Sequence, residues 1–172
     1  MSWIKTGRKD YDGYGRVTAT YDALDHPTTT SYTPAAGGPV TSTTVTNALG
    51  HTVTTTLDPA RNQPTTVVDA NGKTTTLQYD PVGRLLKVLK PHTPAEQFPD
   101  LEYGYTLRAT GANVVSVKHL GPNHTQYTST ELFDGRLRLR QTQSPAAVAT
   151  GGRLVVDTAY DGGGQVAKTS TF

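Results

Sequence analysis

Acidic residues recur along this chain in an arrangement that raises the possibility of acid–base chemistry. Two carboxyl groups held close together can serve as general acid and general base. The aspartates concerned are Asp12, Asp22, Asp58, Asp69, Asp80 and Asp161. Each of them opens a four-residue block of the kind that forms a turn, and Asp or Asn at the first position of a turn accepts backbone N–H groups. The pattern therefore favours a turn-forming role over catalysis.

The other residue types that carry chemistry form no recognisable site. The chain has no cysteine, which excludes disulfides and thiolate metal ligands. His26 and His51 stand at the exits of turn blocks, and His92, His119 and His124 lack a spacing that suggests shared metal ligation. No G-x-S-x-G elbow, P-loop or dinucleotide fingerprint occurs. The sequence predicts a protein without catalytic residues, cofactor or metal, and thus not an enzyme.

One basic stripe is conspicuous. Arg136, Arg138 and Arg140 alternate with leucines, which would project three guanidinium groups from one face of a strand. Phosphate or acidic cargo could bind there. A solvated face with cross-strand partners such as Glu131 is the favoured interpretation.

The turn blocks follow a regular period. Their first residues are spaced by eleven in the run Asn47, Asp58, Asp69 and Asp80. A type I turn followed by a left-handed glycine, such as Gly72 or Gly83, is a hairpin connection with a bulge. Outside the regular run the same template fits Asp12–Gly15, Asp22–Asp25 and Asp161–Gly164. Arg61 takes the glycine position of the Asp58 block, where positive φ is strained, which makes that turn the least regular.

Seven residues separate successive blocks, which is the length of a strand. Alternation predicts one buried face and one threonine-rich, wet face. The residues predicted to be buried are Val53, Leu57, Pro64, Val68, Leu77, Tyr79, Leu86 and Val88. Six further strands are predicted at 100–107, 113–120, 125–133, 136–142, 153–160 and 165–172. Asp134 and Gly135 are interpreted as a two-residue type I′ hairpin loop, and only Ala95–Phe98 could form a helical turn.

Composition agrees with an all-β fold of antiparallel hairpins. The 172 residues include 31 Thr, 17 Gly and 11 Pro, which favour strands and tight turns. A net charge of +2 is too small to indicate nucleic acid or an anionic membrane as partner. The first residues do not resemble a signal peptide, and no stretch approaches the about 20 apolar residues of a membrane helix. We therefore expect any export signal to lie outside this segment.

Two hexapeptides carry a family resemblance. Tyr11–Arg16 and Tyr79–Arg84 match the signature Y-D-x-x-G-R, including Asp12, Gly15 and Arg16 in the first and Asp80, Gly83 and Arg84 in the second. Partial copies start at Tyr21 with Asp22, at Phe133 with Asp134 and Gly135, and at Tyr160 with Asp161 and Gly164. In these motifs the chain resembles the YD-repeat proteins, also called RHS-type proteins.

The resemblance implies a long strip of antiparallel hairpins that spirals into a hollow shell. In bacterial polymorphic toxins such shells enclose a toxic C-terminal domain, and in the animal teneurins a similar shell supports adhesion. Neither a shell-terminating core motif nor a toxin-like domain is present in residues 1–172.

We therefore expect a single repeat segment over residues 1–172, regular at about 47–90 and less regular at 100–172. Its expected role is structural, within a larger secreted or cell-surface protein. Its partners would be the rest of that protein and the enclosed C-terminal domain. The alternative is an adhesion module whose exposed tyrosines bind a glycan or a receptor.

Overall fold

The computed structural model describes residues 6–91, 98–147 and 151–172. Its contacts group into two compact units, one formed by 1–77 and 81–83 and the other by 78–80 and 84–172. The described residues form fourteen strands and no α-helix, so the predicted all-β fold of antiparallel hairpins is confirmed. The predicted helical turn at Ala95–Phe98 lies, except for Phe98, outside the described residues.

The first unit contains seven strands, of which the last extends two residues beyond it. In order along the chain, each strand pairs antiparallel with the one before it. The strands are β1 (Arg8–Tyr11), β2 (Val17–Tyr21), β3 (Pro27–Thr33), β4 (Ser42–Thr46), β5 (Thr52–Leu57), β6 (Pro64–Val68) and β7 (Thr74–Tyr79).

The second unit repeats this chain-ordered antiparallel pairing. Its strands are β8 (Leu85–Leu89), β9 (Leu101–Thr106), β10 (Asn113–Leu120), β11 (Gln126–Phe133), β12 (Leu139–Pro145), β13 (Arg153–Tyr160) and β14 (Val166–Thr171). A single 3₁₀ turn, Pro122–His124, joins β10 to β11. The bounds of β10 and β13 are those predicted from the sequence.

The described residues bury very little. The buried apolar side chains are Ala19, Leu89 and Pro99, the buried polar residue is Asp100, and no large side chain among the described residues is fully enclosed. Most strand residues are half-buried on both faces of the sheet. The described part of the chain thus lacks the conventional core that gives most domains of this size their stability.

The predicted buried face is wrong at β6. The strand register places Val68 opposite Thr54 and Val67 opposite Thr55. Because directly paired residues share a face, Val53 lies on the same face as Val67 and not Val68. Even there burial is partial, since Val53 is 38% exposed.

The side chains of β6 from Thr66 to Val68 face opposite to the prediction, and the cause lies in the turns at the two ends of the strand. The turn between β5 and β6 contains one residue more than the template, because Asn62 and not Arg61 takes the left-handed conformation, at φ 54°. The hairpin of β6 and β7 then pairs Val68 with Thr74 without a bulge. Each change shifts the register by one residue, and a one-residue shift moves every side chain to the other face.

Candidate functional site, the aspartate turns and tyrosine clamps

The turn at Asp12 shows how the acidic residues are used. The Asp12 N–H donates to the carbonyl of Arg16 at 2.9 Å, and the Gly15 N–H donates to the carbonyl of Asp12 at 3.1 Å. Oδ1 of Asp12 accepts the N–H groups of Tyr14 and Arg16, both at 2.9 Å. Gly15 has φ 76°, the left-handed conformation that the fourth position requires. The carboxylate is therefore occupied by backbone groups.

This bonding recurs along the chain. In each such turn the first residue donates its N–H to the carbonyl of the fifth residue and accepts that residue's N–H on Oδ1. In the described residues the turns begin at Asp12, Asp22, Asn47, Asp69, Asp80, Asp134 and Asp161. Gly72, Gly83 and Gly164 take positive φ at the fourth position, as Gly15 does. In each turn of this set, Oδ1 of the first residue is therefore occupied by backbone N–H groups of the same turn.

The sixth predicted turn, at Asp58, is built differently. The Asp58 N–H donates to the carbonyl of Gln63 at 2.8 Å, and the Asn62 N–H donates to the carbonyl of Asp58 at 2.7 Å. The side chain of Arg61 donates to the carbonyl of Pro81, and that of Gln63 to the carbonyl of Gly83 at 2.7 Å. The longer turn avoids a left-handed Arg61 and reaches across to the backbone of a later turn.

Three of the turns carry arginine at the fifth position. Its Nε lies 2.6 Å from Oδ2 of the aspartate in the pairs Arg16–Asp12 and Arg84–Asp80. In the third pair, Nη2 of Arg138 lies 2.8 Å from Oδ2 of Asp134. The aspartate thus uses one oxygen for the backbone and the other for the arginine, which fixes the position of the guanidinium group.

Each of these arginines contacts a tyrosine on the strand that follows its hairpin. The guanidinium carbon lies 4.5 Å from the ring centre of Tyr32 for Arg16, 4.6 Å from that of Tyr105 for Arg84, and 4.4 Å from that of Tyr160 for Arg138. These distances are those of cation–π contacts. We call the three tyrosines, Tyr32, Tyr105 and Tyr160, the clamp tyrosines.

The phenol groups complete the arrangement in the same way each time. The hydroxyl of Tyr32 donates to the carbonyl of Val17 at 2.8 Å, that of Tyr105 to Leu85 at 2.9 Å, and that of Tyr160 to Leu139 at 2.8 Å. The acceptor is always the residue that follows the arginine. A clamp therefore fastens the turn of one hairpin to the strand that follows that hairpin.

The clamps compensate in part for the missing core. A net hydrogen bond contributes about 0.5–1.5 kcal/mol, and an exposed cation–π contact contributes about 0.5–1 kcal/mol. Three repeats of both contacts stabilise strand pairs that bury few side chains. This arrangement joins neighbouring hairpins of the sheet.

Sequence reasoning identified one of the three clamp tyrosines. Tyr160 belongs to a partial copy of the repeat motif because it precedes Asp161, whereas Tyr32 and Tyr105 precede no aspartate. Among the other tyrosines of the repeat motif, Tyr11 is 59% exposed. The guanidinium carbon of Arg8 lies 3.4 Å from the ring centre of Tyr21. Tyr79 ends β7, and burial raises the pKa of its phenol.

The turn at Asp134 corrects two predictions. It is a four-residue turn of the common type and not a two-residue loop, since the Leu137 N–H donates to the Asp134 carbonyl at 2.9 Å. Leu137 takes the glycine position with φ 58°. Two backbone N–H groups bonded to the Asp134 carboxylate, those of Arg136 and Arg138, favour the longer turn.

The predicted stripe of three arginines is consequently wrong. Arg136 lies in the turn, and β12 begins only at Leu139. Arg138 belongs to the clamp, and Nε of Arg140 donates to the carbonyl of Thr158 at 2.8 Å. These guanidinium groups do not project together from one strand face.

Replacing Leu137 with glycine should stabilise the protein. A left-handed residue with a side chain costs roughly 1–2 kcal/mol, and part of that gain is offset by the greater freedom of glycine in the unfolded chain. We expect an increase of about 1 kcal/mol in the free energy of unfolding by urea titration. Arg136→Gly, in the same turn but without positive φ, should give no increase, and equal effects of the two variants would contradict the strain at Leu137.

Acid should weaken the turns. The backbone N–H of Arg138, assisted by its side chain and opposed by burial, lowers the pKa of the Asp134 carboxyl. The N–H and side chain of His26 likewise lower the pKa of Asp22. A carboxyl with a lowered pKa stabilises the folded state above the pKa of the unfolded chain, about 3.9, and this contribution disappears as the pH falls.

We therefore expect Asp134→Asn to destabilise the protein more at pH 7 than at pH 2.5. The variant keeps the backbone bonds, as Asn47 does in its own turn. Urea unfolding of both proteins at the two pH values measures the difference. The same loss at both pH values would show that the charge of Asp134 contributes nothing.

Residues 6–91, 98–147 and 151–172 contain no group of three or more His, Asp or Glu side chains placed to hold a metal ion. The same part of the chain has no helix with the length and apolarity to cross a membrane.

Comparison with known proteins agrees with this architecture. The family model of the RHS repeat matches residues 59–93. A search of curated proteins finds no match. Solved structures that share the fold include the crystal structure of TcdB2-TccC3, with a TM-score of 0.72, 13% identity and 96% of this chain covered. The Tc holotoxin pore of Photorhabdus luminescens matches with a TM-score of 0.67, 15% identity and the same coverage.

A third structure, TcdB2-TccC3 without its hypervariable C-terminal region, has a TM-score of 0.67 and 15% identity over 96% of this chain. The chain covers 11% of the first of these three structures and 9% of the other two. At such identities the likeness concerns the fold. Taken with the repeat matched at residues 59–93, the shared fold agrees with the resemblance of this chain to YD/RHS-repeat proteins.

Proposed function

We propose that this chain is a non-catalytic wall segment of a larger exported RHS protein, contributing to a shell that encloses or presents a C-terminal toxin domain. The observation that carries the proposal is the repeated clamp. The polar groups that a catalytic site would need, the turn aspartates and their arginines, are bonded to the backbone, to each other or to tyrosine rings. These residues are suited to holding strands in register.

The two faces of the second unit differ in a way that suits a wall. One face carries Tyr103, Tyr105, Val115 and Val117, which are opposite one another in the register of β9 and β10. The other face is mostly polar, with Lys118 and Glu102 paired at 3.2 Å and Ser116 beside Val114.

The polar face continues into β12 and β13. Nε2 of Gln141 donates to Asp157 at 2.7 Å, and Nη1 of Arg153 donates to Gln143 at 2.6 Å. A sheet with one apolar and one polar, internally bonded face can separate an enclosed volume from solvent.

The comparisons support a larger parent protein. The structures that share this fold are about ten times as long as the chain, and one of them is of TcdB2-TccC3 without its hypervariable C-terminal region. In our proposal the partners of the chain are the remainder of its parent and such a C-terminal domain, outside the cell or on its surface. No cofactor takes part.

The adhesion alternative needs tyrosine rings that are free to stack on a glycan. The clamp tyrosines are half-buried and bonded through their hydroxyls, whereas Tyr11, Tyr14 and Tyr127 are exposed, the ring of Tyr14 lying 5.1 Å from the guanidinium carbon of Arg16. No specific contact in the described residues favours a glycan site at these three, so the structural role is the preferred proposal.

Limited proteolysis of the full protein, with its C-terminal domain, tests enclosure. The domain should resist protease in the natural protein and become sensitive when Tyr32, Tyr105 and Tyr160 are all changed to alanine. The control changes the exposed Tyr11 and Tyr127, which contact no clamp arginine in the described residues, to alanine and should leave the protection intact. A C-terminal domain cleaved in the natural protein as fast as when it is free would rule out enclosure.

A further inference from the structure

Three neighbouring turns of the first unit share one template but differ at the fifth residue. They follow β2, β4 and β6, so they lie at the same end of their antiparallel strands. They begin at Asp22, Asn47 and Asp69, and their fifth residues are His26, His51 and Lys73. Histidine is the side chain whose charge ordinarily changes between pH 5 and 8. Two of the three turns thus carry a histidine where the third carries a lysine.

In the first turn the histidine faces a carboxylate. Nδ1 of His26 lies 2.9 Å from Oδ2 of Asp22, whose Oδ1 accepts the N–H groups of Leu24 and His26 at 2.8 and 2.9 Å. A carboxylate only accepts hydrogen bonds, so Nδ1 must carry a proton. Protonation of the ring keeps this bond and adds an attractive charge.

In the second turn the histidine faces an amide nitrogen. Oδ1 of Asn47 accepts the N–H groups of Leu49 and His51, both at 3.0 Å, which fixes the orientation of the amide. Its Nδ2 therefore points to Nδ1 of His51, at 3.4 Å. An amide NH₂ only donates, so Nδ1 of His51 must accept. Protonation of this ring places two donors against each other and removes the bond.

The surrounding charges are few. His26 shares its turn with Asp22 and Asp25. Arg8 from β1 lies 3.7 Å from Asp25 and over the ring of Tyr21 on β2. The uncharged residues Asn47–Leu49, in the turn after β4, line a surface groove together with His26. On the other side of β5, which His51 precedes, the turn after β6 carries Asp69 and Lys73. Aspartate, lysine and arginine side chains ordinarily keep their charge between pH 5 and 8, whereas histidine does not.

We propose that the Asp22 and Asn47 turns respond to pH in opposite directions, the first tightening and the second loosening as the pH falls from 8 to 5. Acidification would then loosen the turn between β4 and β5 and tighten the turn between β2 and β3. The residue at the first position of the turn, carboxylate or amide, sets the sign. This response requires only the turns and is independent of what the shell encloses.

Amide protection measured by NMR on the full chain tests the proposal, with each exchange rate divided by the intrinsic rate at the same pH. The amides to follow are Asp25 and Gly50, which close the two turns by bonds to the carbonyls of Asp22 and Asn47. From pH 8 to pH 5, protection of Asp25 should rise and that of Gly50 should fall, each by about two- to fivefold, the range of exposed ion pairs. Gly72, in the turn of Asp69 and Lys73, is the internal control and should not change.

Two variants, in which each turn receives the first residue of the other, test the direction of the pH response. Asn47→Asp should make Gly50 protection rise on acidification, and Asp22→Asn should make Asp25 protection fall. Both substitutions use a residue that already caps the neighbouring turn, so the turns should still form. Responses of equal sign at the two turns, or a Gly50 response left unchanged by Asn47→Asp, would overturn the proposal. A parallel change at Gly72 would assign the effect to general destabilisation and overturn it as well.

Discussion

Replacement of Tyr105 with alanine is expected to lower the free energy of unfolding by about 2–3 kcal/mol. Truncating a buried aromatic residue costs about 3–5 kcal/mol, and Tyr105 is only half-buried. The loss combines ring packing, the contact with Arg84 at 4.6 Å and the bond from its hydroxyl to Leu85 at 2.9 Å. Urea denaturation followed by circular dichroism measures it.

Two further variants separate these contributions. Tyr105→Phe keeps the ring and the cation–π contact and should cost about 1 kcal/mol, the value of one hydrogen bond. Tyr11→Ala removes an exposed tyrosine that precedes an aspartate and should cost less than about 0.5 kcal/mol. A cost at Tyr11 equal to that at Tyr105 would mean that position before the aspartate, and not the clamp, determines the contribution of a tyrosine.

The turns could be predicted from the sequence because their cause is local. An aspartate or asparagine at the first position and a glycine at the fourth determine most of the hydrogen bonds of the turn, as in the turn that begins at Asp12 and includes Gly15. The clamps could not, because their partners are far apart and irregularly spaced. Arg16 and Tyr32 are 16 residues apart, whereas Arg84 and Tyr105 are 21 apart.

Local rules were wrong where two of them competed. Asp134–Gly135 fits the two-residue hairpin rule, but the capping bonds of Asp134 require a longer turn even with Leu137 at positive φ. At Asp58 the strain expected for Arg61 is avoided by using Asn62, and that extra residue shifts the register. The error in the facing of Val68 follows from this shift, since the turn length determines the face of the next strand.

The largest effect of a turn substitution is expected at Gly83. This residue has φ 86°, and a Cβ atom there would lie 3.2 Å from Oε1 of Gln63 and 3.3 Å from Cδ of Arg61. A β-branched side chain at positive φ is strained. In addition, the carbonyl of Gly83 accepts a hydrogen bond from Nε2 of Gln63 at 2.7 Å, so the side chain of Gln63 is held close to this residue. We expect Gly83→Val to lower the free energy of unfolding by about 3 kcal/mol in urea titrations, the upper part of the range for one strained residue.

Gly72→Val is the matched control that isolates the backbone strain. Gly72 has φ 73°, but a Cβ atom there would meet nothing within 4 Å, so this variant should lose only the strain contribution, about 1–2 kcal/mol. The difference between the two variants measures the crowding from the side chains of the Asp58 turn. Val82→Ala, which truncates a side chain that is 74% exposed, should change stability by less than about 0.5 kcal/mol. If Gly83→Val proved no more destabilising than Val82→Ala, the left-handed fourth position would not be needed, and the turn template on which the repeat rests would be wrong.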